Sequence, residues 1–412
     1  MNKNISFEKI KSLSEEFIMP TYRQSLCLEK GKGIYLYSSD GRVFLDFTSG
    51  IAVTNLGHCH PEIIDTICNQ SNELMHASNL FYNKIQPQLA EQLVECTGLE
   101  NAKCFFCNSG AEANEGMIKL ARLWGSSSNK YEIITMKQSF HGRTLATLTA
   151  TGQDKVKKGF GPLPKGFVYA DYNNLDSVES LINSSTVAVM IESIQGEGGV
   201  IPADKIFLRK LRDLCDNNNI LLLCDEVQAG IGRTGKWFGF QHADIKPDVI
   251  SSAKGLGNGF PIGALIAKAE LSNIFQPGNH ATTFGGNPLS SAVSLKVIEI
   301  IKNDNLLSNA ERMGLHLKSK LSNELSKFEW IENIRGLGLM LGIVLNVEAN
   351  YLQKKLEENG LLAIATAGNI LRMLPPMIIS IEEVNKAIDL IIKSCNDIDN
   401  EMKNLKNIKK LR

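Results

Sequence analysis

The stretch LLLCDEVQ, Leu221 to Gln228, carries three leucines and a cysteine straight into two adjacent carboxylates. A continuous apolar run without alternation predicts a strand buried on both faces, as in a parallel sheet with helices on each side. The carboxyl ends of such strands are where ligands bind. Asp225 stands at that end. An enclosed carboxylate needs a positive partner, because unpaired it would be driven to protonate. The adjacent Glu226 points to the other face.

Working outward, strand-like runs alternate with helical stretches from about residue 100 to 270: KCFFC, YEIITM, GFVYA, TVAVMIE, ILLLCDEV, DVISSA and GALIA. That alternation predicts an α/β fold with a largely parallel sheet. Upstream, KGKGIYLYSSDGRVFLDFTSG reads as a β-meander turning at Gly33 and at Asp40-Gly41. Downstream, NPLSSAVSLKVIEII opens a long helix followed by a mixed segment. Neither end is large enough for its own core, so residues 1–55 and 291–412 are expected to share a smaller domain beside a large domain of residues 56–290. The basic C-terminal stretch EMKNLKNIKKLR reads as a solvated helix.

The 412 residues are enough for a large core plus an annex. Hydrophobic residues make up 43% and charged ones 21%, and 44 basic side chains cancel 44 acidic ones, which argues against a nucleic-acid partner. No run of about 18 apolar residues points to a membrane, and the N-terminal MNKNISFEKIKSLSEEF lacks a signal-peptide core. A cytoplasmic protein is expected. Nine cysteines, mostly in apolar segments, suit reduced core thiols. CFFC, Cys104 to Cys107, has redox-motif spacing but lies in a strand, where residues three apart face opposite ways. GHCHP lacks a second ligand cluster and reads as a turn before a helix, so no metal is expected.

Three pieces carry chemistry. In FFCNSGAEANEGMIKLARLWG a strand ends at Cys107, Asn108 and Ser109 supply cap-type side chains, and Gly110 opens a helix. Free N–H groups at Gly110 and Ala111, with the helix dipole, suit a phosphate. GIGRTGKW imitates a P-loop, but Trp237 stands where a magnesium-binding hydroxyl belongs, and RGLGLMLG spaces its glycines wrongly for a dinucleotide. In SSAKGLGNGFPIG, Lys254 follows a strand-like run and precedes three glycines. A lysine, a strand-end Asp and a phosphate turn are the parts needed to hold pyridoxal phosphate. Its protonated ring nitrogen would be the cation facing Asp225.

NSGAEANE, SFHGRT, IESIQGEGG, LLLCDEVQAGIGRTG, SSAKGLGNGFPIG and TTFGGNPL, in that order, resemble the class III aminotransferases of fold type I, over about residues 20 to 395. The resemblance implies a largely parallel mixed sheet in a large domain, a smaller α+β domain from both chain ends, pyridoxal 5'-phosphate, and a homodimer with shared active sites. It implies that Lys254 carries the cofactor and moves the proton. Ser109, Gly110 and Ala111 would hold the phosphate, with Thr283 of the partner subunit. Phe140 and Val227 would sandwich the ring, Asp225 would face its nitrogen, and Gln228 its hydroxyl. Arg143 would clamp the donor's α-carboxylate. Arg372 would bind 2-oxoglutarate and pair with Glu197 in the donor's presence, and Thr282 and Ile51 complete the substrate set. Ser193 replaces a common Pro, and Ala111 a frequent Thr, so one hydroxyl contact to the phosphate is absent. GIAV at 50 to 53, GHCHP and RGLGLMLG are similar to members that move the terminal amino group of N2-acetylornithine to 2-oxoglutarate. Ornithine, 4-aminobutyrate and succinylated amino acids are the competing donors. Aminomutation or decarboxylation on the same fold, and a nucleotide-binding module, are the readings of another class.

Overall fold

The computed structural model describes residues 5–410, with side chains up to 403. Its centre is a seven-stranded sheet in the order Lys103–Cys107, Gly263–Ala267, Val249–Ser252, Leu221–Asp225, Thr186–Glu192, Glu132–Met136, Phe167–Ala170. All seven are the runs expected from the sequence. Five neighbouring strands are parallel, and Gly263–Ala267 runs antiparallel to both of its neighbours.

The strand Leu221–Asp225 is buried along its whole length. Its alternate side chains enter two different cores, which is why the run shows no polar alternation. Leu221 and Leu223 pack with Met117, Leu120 and Ala121 of the helix Gly110–Gly125. Leu222 and Cys224 join Phe207, Leu208, Leu211 and Cys215 of the helix Lys205–Asn217 on the opposite face. The period-two rule then places Asp225 on the face of the helix Gly110–Gly125. Glu226 goes to the other side, where its carboxylate accepts from the Gly239 and Phe240 amides at 2.7 and 3.0 Å.

The expected meander is present as Leu28–Lys32, Tyr35–Ser38 and Val43–Asp46, and the short strand Leu361–Leu362 adds parallel to the last of these. A separate antiparallel sheet runs Ile331–Leu337, Met340–Leu345, Ile370–Met373, Ile364–Thr366. The helices Pro288–Asn303, Leu306–Leu325, Ala349–Glu358 and Ile381–Lys410 complete the C-terminal part. The solvation expected for the C-terminal basic side chains lies outside the described residues from 404 onward.

The P-loop-like GIGRTGKW has a different task. Arg233 is fully buried, and its guanidinium donates to the carbonyls of Leu339 and Pro375 and to the Asn55 side chain. These contacts tie the loop to segments near both chain ends.

Candidate active site

A cavity of about 390 Å³ opens at the carboxyl edge of the sheet. Asp225, Val227, Gln228, Lys254, Gly110, Ala111, Phe140 and Arg143 all line it. The sheet register explains the meeting. Asp225 is paired with Ser251 on the adjacent parallel strand and with Glu192 on the other side, so Lys254, three residues past Ser251, emerges at the same edge.

The phosphate end follows from local capping. Ser109 caps the helix Gly110–Gly125 by accepting from the Glu112 amide at 3.2 Å. Glu112 in turn accepts from the Asn108 amide at 2.5 Å. Among the described residues, the Gly110 and Ala111 amides find no acceptor, which leaves two donors at the positive end of a helix dipole. Glycine is required at 110, since a Cβ there would lie 2.6 Å from Val227 Cγ1.

At the other end, Asp225 is 4% exposed and collects four donors. Its Oδ2 accepts from Asn114 Nδ2 and from the His141 ring, each at 2.7 Å. Its Oδ1 accepts from the Val227 amide at 3.1 Å and Ser251 Oγ at 3.3 Å. The carboxylate is thus fixed before any ligand arrives. The longest of these bonds comes from a hydroxyl, whose hydrogen rotates freely. His141 and Asn114 are absent from the set read in the sequence. The available signal was that each is a polar residue inside a quoted motif on a buried face.

Burial, and next to it the charge of Arg372, brings Lys254 down to about 8, against the attraction of Glu197, Asp225 and Glu192. Burial also pushes Glu192, a further wall of the cavity, up to about 7. Lys254 sits at φ 46, in the left-handed region that side chains disfavour. Competitive acetylation of the cofactor-free protein with trace acetic anhydride, read by peptide mass spectrometry, should give Lys254 a midpoint of about 8. A midpoint above about 10, the range of an exposed lysine, would contradict this electrostatic setting.

Arg372 lies on the strand Ile370–Met373 and is 1% exposed. Its Nη1 donates to Glu197 Oε1 at 2.6 Å and to Gln228 Oε1 at 3.1 Å. Its Nε has no acceptor among the described residues. Burial would raise Glu197, but Arg372 outweighs that and holds the carboxyl below its usual range. Arg143 is exposed, with its guanidinium 5.3 Å from the Phe140 ring centre.

Five candidates are outside the cavity lining: Arg372 and Glu197, which join it through the bond from Arg372 to Gln228, and Thr282, Thr283 and Ile51. Thr282 and Thr283 line a second cavity, of about 530 Å³, with Glu112, Glu115 and His280. Ile51 is 40% exposed and outside the lining, although Val53, two residues on, is part of it. Ile51 belongs to a run of four positive φ angles, Ser49 at 45°, Gly50 at 62°, Ile51 at 68° and Ala52 at 61°. Each non-glycine residue there costs about 1–2 kcal/mol.

The residues present fit pyridoxal phosphate. Two free helix amides face a buried acid across one cavity, and a lysine of lowered pKa lies between neighbouring strands.

Comparison with known proteins agrees. A family model described as aminotransferase class-III matches residues 18–395. An acetylornithine aminotransferase of Methanocaldococcus jannaschii is 43% identical, over 97% of this chain and 100% of its own. An ornithine aminotransferase from Toxoplasma gondii, whose active site holds pyridoxal phosphate at partial occupancy, superposes with a TM-score of 0.93 at 32% identity, over 97% of each chain. The N-acetylornithine aminotransferase of Stenotrophomonas maltophilia gives 0.82 at 35%, over 95% of this chain and 99% of its own.

Proposed function

The chain belongs to the class-III aminotransferases, and from that premise we propose that it moves the terminal amino group of N2-acetylornithine to 2-oxoglutarate, giving N-acetylglutamate 5-semialdehyde and glutamate, a step of arginine biosynthesis. Its cofactor is pyridoxal phosphate. The observation that carries the reading is the single cavity in which Lys254, Asp225 and the free Gly110 and Ala111 amides converge. The donor rests on the 43% identity to an acetylornithine enzyme across both chains, against 32% to the ornithine enzyme of nearly superimposable fold.

The cofactor, when bound, supplies an electron sink for the charge left on the substrate carbon as its proton departs. The protein supplies the rest. Lys254 Nζ would anchor the cofactor, and its amine, which burial brings down to about 8, would be suited to take and return the proton. Asp225, fixed by Asn114 and His141, would present its carboxylate to the ring nitrogen. Gly110 and Ala111, capped into place by Ser109, would hold the phosphate, and Phe140 and Val227 would pack on the ring. Gln228, which lines the same cavity, would serve the ring hydroxyl.

Substrate choice falls to two arginines. Arg143, exposed at the mouth, is free to take the donor's α-carboxylate with a two-pronged contact. Arg372 is shielded by Glu197 while a donor with a neutral end is bound, and a departing Glu197 leaves it for the second carboxylate of the oxo acid. Arg143→Lys is expected to damage the donor half-reaction and Arg372→Lys the return with 2-oxoglutarate, each by about tenfold or more. Single-turnover kinetics of the two halves check this; equal damage to both by Arg143→Lys would mean a structural role.

We place Thr282 and Thr283 at the active site of the partner subunit in a homodimer. Leu80, Phe81, Tyr82 and Phe284 stand more than half exposed. The two segments adjoin through Asn79 Nδ2 and the Gly285 carbonyl at 2.9 Å. An apolar surface of that kind marks an interface. The division into residues 1–55, 56–290 and 291–412 remains our reading of the domains, supported by the pairing of Leu361 with Leu45. Among the described residues no helix is long and apolar enough to cross a membrane. A cytoplasmic location is supported by nine free cysteines, which suit a reducing compartment.

The test is a panel of amine donors with 2-oxoglutarate as acceptor. Acetylornithine should exceed free ornithine in kcat/KM by about 10- to 1000-fold, because the acetyl group removes a charge that apolar Ile51 leaves without a partner. A preference for ornithine or 4-aminobutyrate would overturn the donor and leave the aminotransferase; turnover without any oxo acid would point to the other reaction class.

A further inference from the structure

We propose that Asp46 and His58 are positioning residues for donor recognition, holding the left-handed turn Ser49–Ala52 that presents Ile51 beside the cavity; this rests on the reading of Ile51 as part of the donor site. The turn cannot hold itself. Ser49, Ile51 and Ala52 are not glycines, and Ile51 at φ 68 is β-branched, so other contacts must over-determine the conformation.

The contacts converge on one carboxylate. Asp46 ends the strand Val43–Asp46, and its side chain is fully buried. Its Oδ1 accepts from the Thr48 amide at 2.8 Å, the Thr48 hydroxyl at 2.6 Å and the Ser49 amide at 3.1 Å, the three donors that start the turn. Its Oδ2 is taken by His58 Nε2 at 2.7 Å. His58 is placed in turn by a two-way backbone bridge to Gly33, at 2.7 and 2.9 Å. Its ring needs the space left at Gly31, where a Cβ would come within 2.6 Å of His58 Cβ.

The far side of the turn is anchored to the acceptor side of the site. Ser49 Oγ donates to the Leu374 carbonyl at 2.5 Å, and Ala52 packs with Ile370 and Leu374, which flank Arg372. Between these anchors Gly50 and Ile51 are exposed, Ile51 being the one with a side chain to present, and the chain then enters the cavity wall at Val53. Removing His58 strips Oδ2 of its one hydrogen-bond partner among the described residues, in a buried place, so the carboxylate must turn or draw in water, and either loosens its grip on Thr48 and Ser49. The GHCHP motif thereby has a role beyond starting the helix Pro61–Glu73.

The test compares purified holoenzyme of wild type, His58→Ala, His58→Gln and Asp46→Asn. His58→Ala should raise KM for acetylornithine by about ten- to a hundredfold and cut its kcat/KM advantage over ornithine towards unity. Cofactor absorbance and KM for 2-oxoglutarate should stay as in wild type. His58→Gln, whose amide N–H can reach Asp46, should recover most of the advantage. A variant that only melts earlier, with donor KM and selectivity within about twofold of wild type, would overturn the proposal, as would an equal rise in both KM values. If His58→Ala does not fold, the isosteric Asp46→Asn carries the same prediction and the same refutation. Should wild type itself prefer another donor, the substrate reading fails first, and the ratio is taken between the two donors it does distinguish.

Discussion

Lys254→Ala should give a folded protein that transfers amino groups at least about 10²–10⁴-fold more slowly, the usual worth of one positioned acid–base group, with loss of the covalent anchor adding to it. Loss of activity must be separated from loss of fold, and the electrostatics allow it. Burial pulls Lys254 from a lysine's ordinary 10.5 to about 8. Between those values the unfolded chain holds the proton and the folded one releases it, so the cofactor-free wild type gains stability as pH rises from about 8 towards 10.5. Below pH 8 it bears the full cost of a buried ammonium. Alanine removes that cost. The cofactor-free variant is therefore expected to melt at or above wild type at pH 7, with the gap closing at high pH, as calorimetry of both proteins would show. Inactivity accompanied by a lower Tm at pH 7 would mean that Lys254 is structural.

Asp225→Asn is the second large effect. The change keeps shape and removes charge, and losing one member of a buried charge pair costs about 3–5 kcal/mol. If that loss falls on the barrier, rates drop by roughly a hundred- to several-thousandfold. Stability should fall modestly as well, because an Asn amide must turn its NH2 towards one of the donors now serving Asp225, the His141 ring and Asn114 on one oxygen or the Val227 amide on the other. Single-turnover rates at saturating cofactor decide the matter. Near-normal rates would remove Asp225 from the chemistry, and Glu226 could not replace it, since its carboxylate is committed to the Gly239 and Phe240 amides on the far face.

The strand Leu221–Asp225 shows why so much of the fold was legible. Its apolar run reports burial on both faces, and the structure divides those residues between two cores. The same period fixes which face Asp225 takes, so the meeting of a strand-end acid, a capped helix and a lysine one strand away follows from sequence order and the sheet rule. What stayed illegible depends on contacts across long separations. Nothing near Asp225 in the chain announces Asn114 or His141, which reach it from 111 and 84 positions away. His58 was read as part of a turn because its partner Asp46 is the end of a strand whose neighbours only folding reveals. Arg233 sits in a glycine pattern that mimics a phosphate loop, and its acceptors, two carbonyls and an amide oxygen, have no sequence signature. Ile51 was legible as a residue but its left-handed backbone was not, since no local rule places a β-branched side chain there.

Borohydride reduction of the holoenzyme followed by peptide mapping tests the central claim most directly, that the cavity between Asp225 and the helix Gly110–Gly125 is the cofactor site and Lys254 its anchor. The pyridoxyl group is expected on Lys254 alone. Its recovery on any other lysine, or a reduced protein with no pyridoxyl lysine at all, would contradict the account.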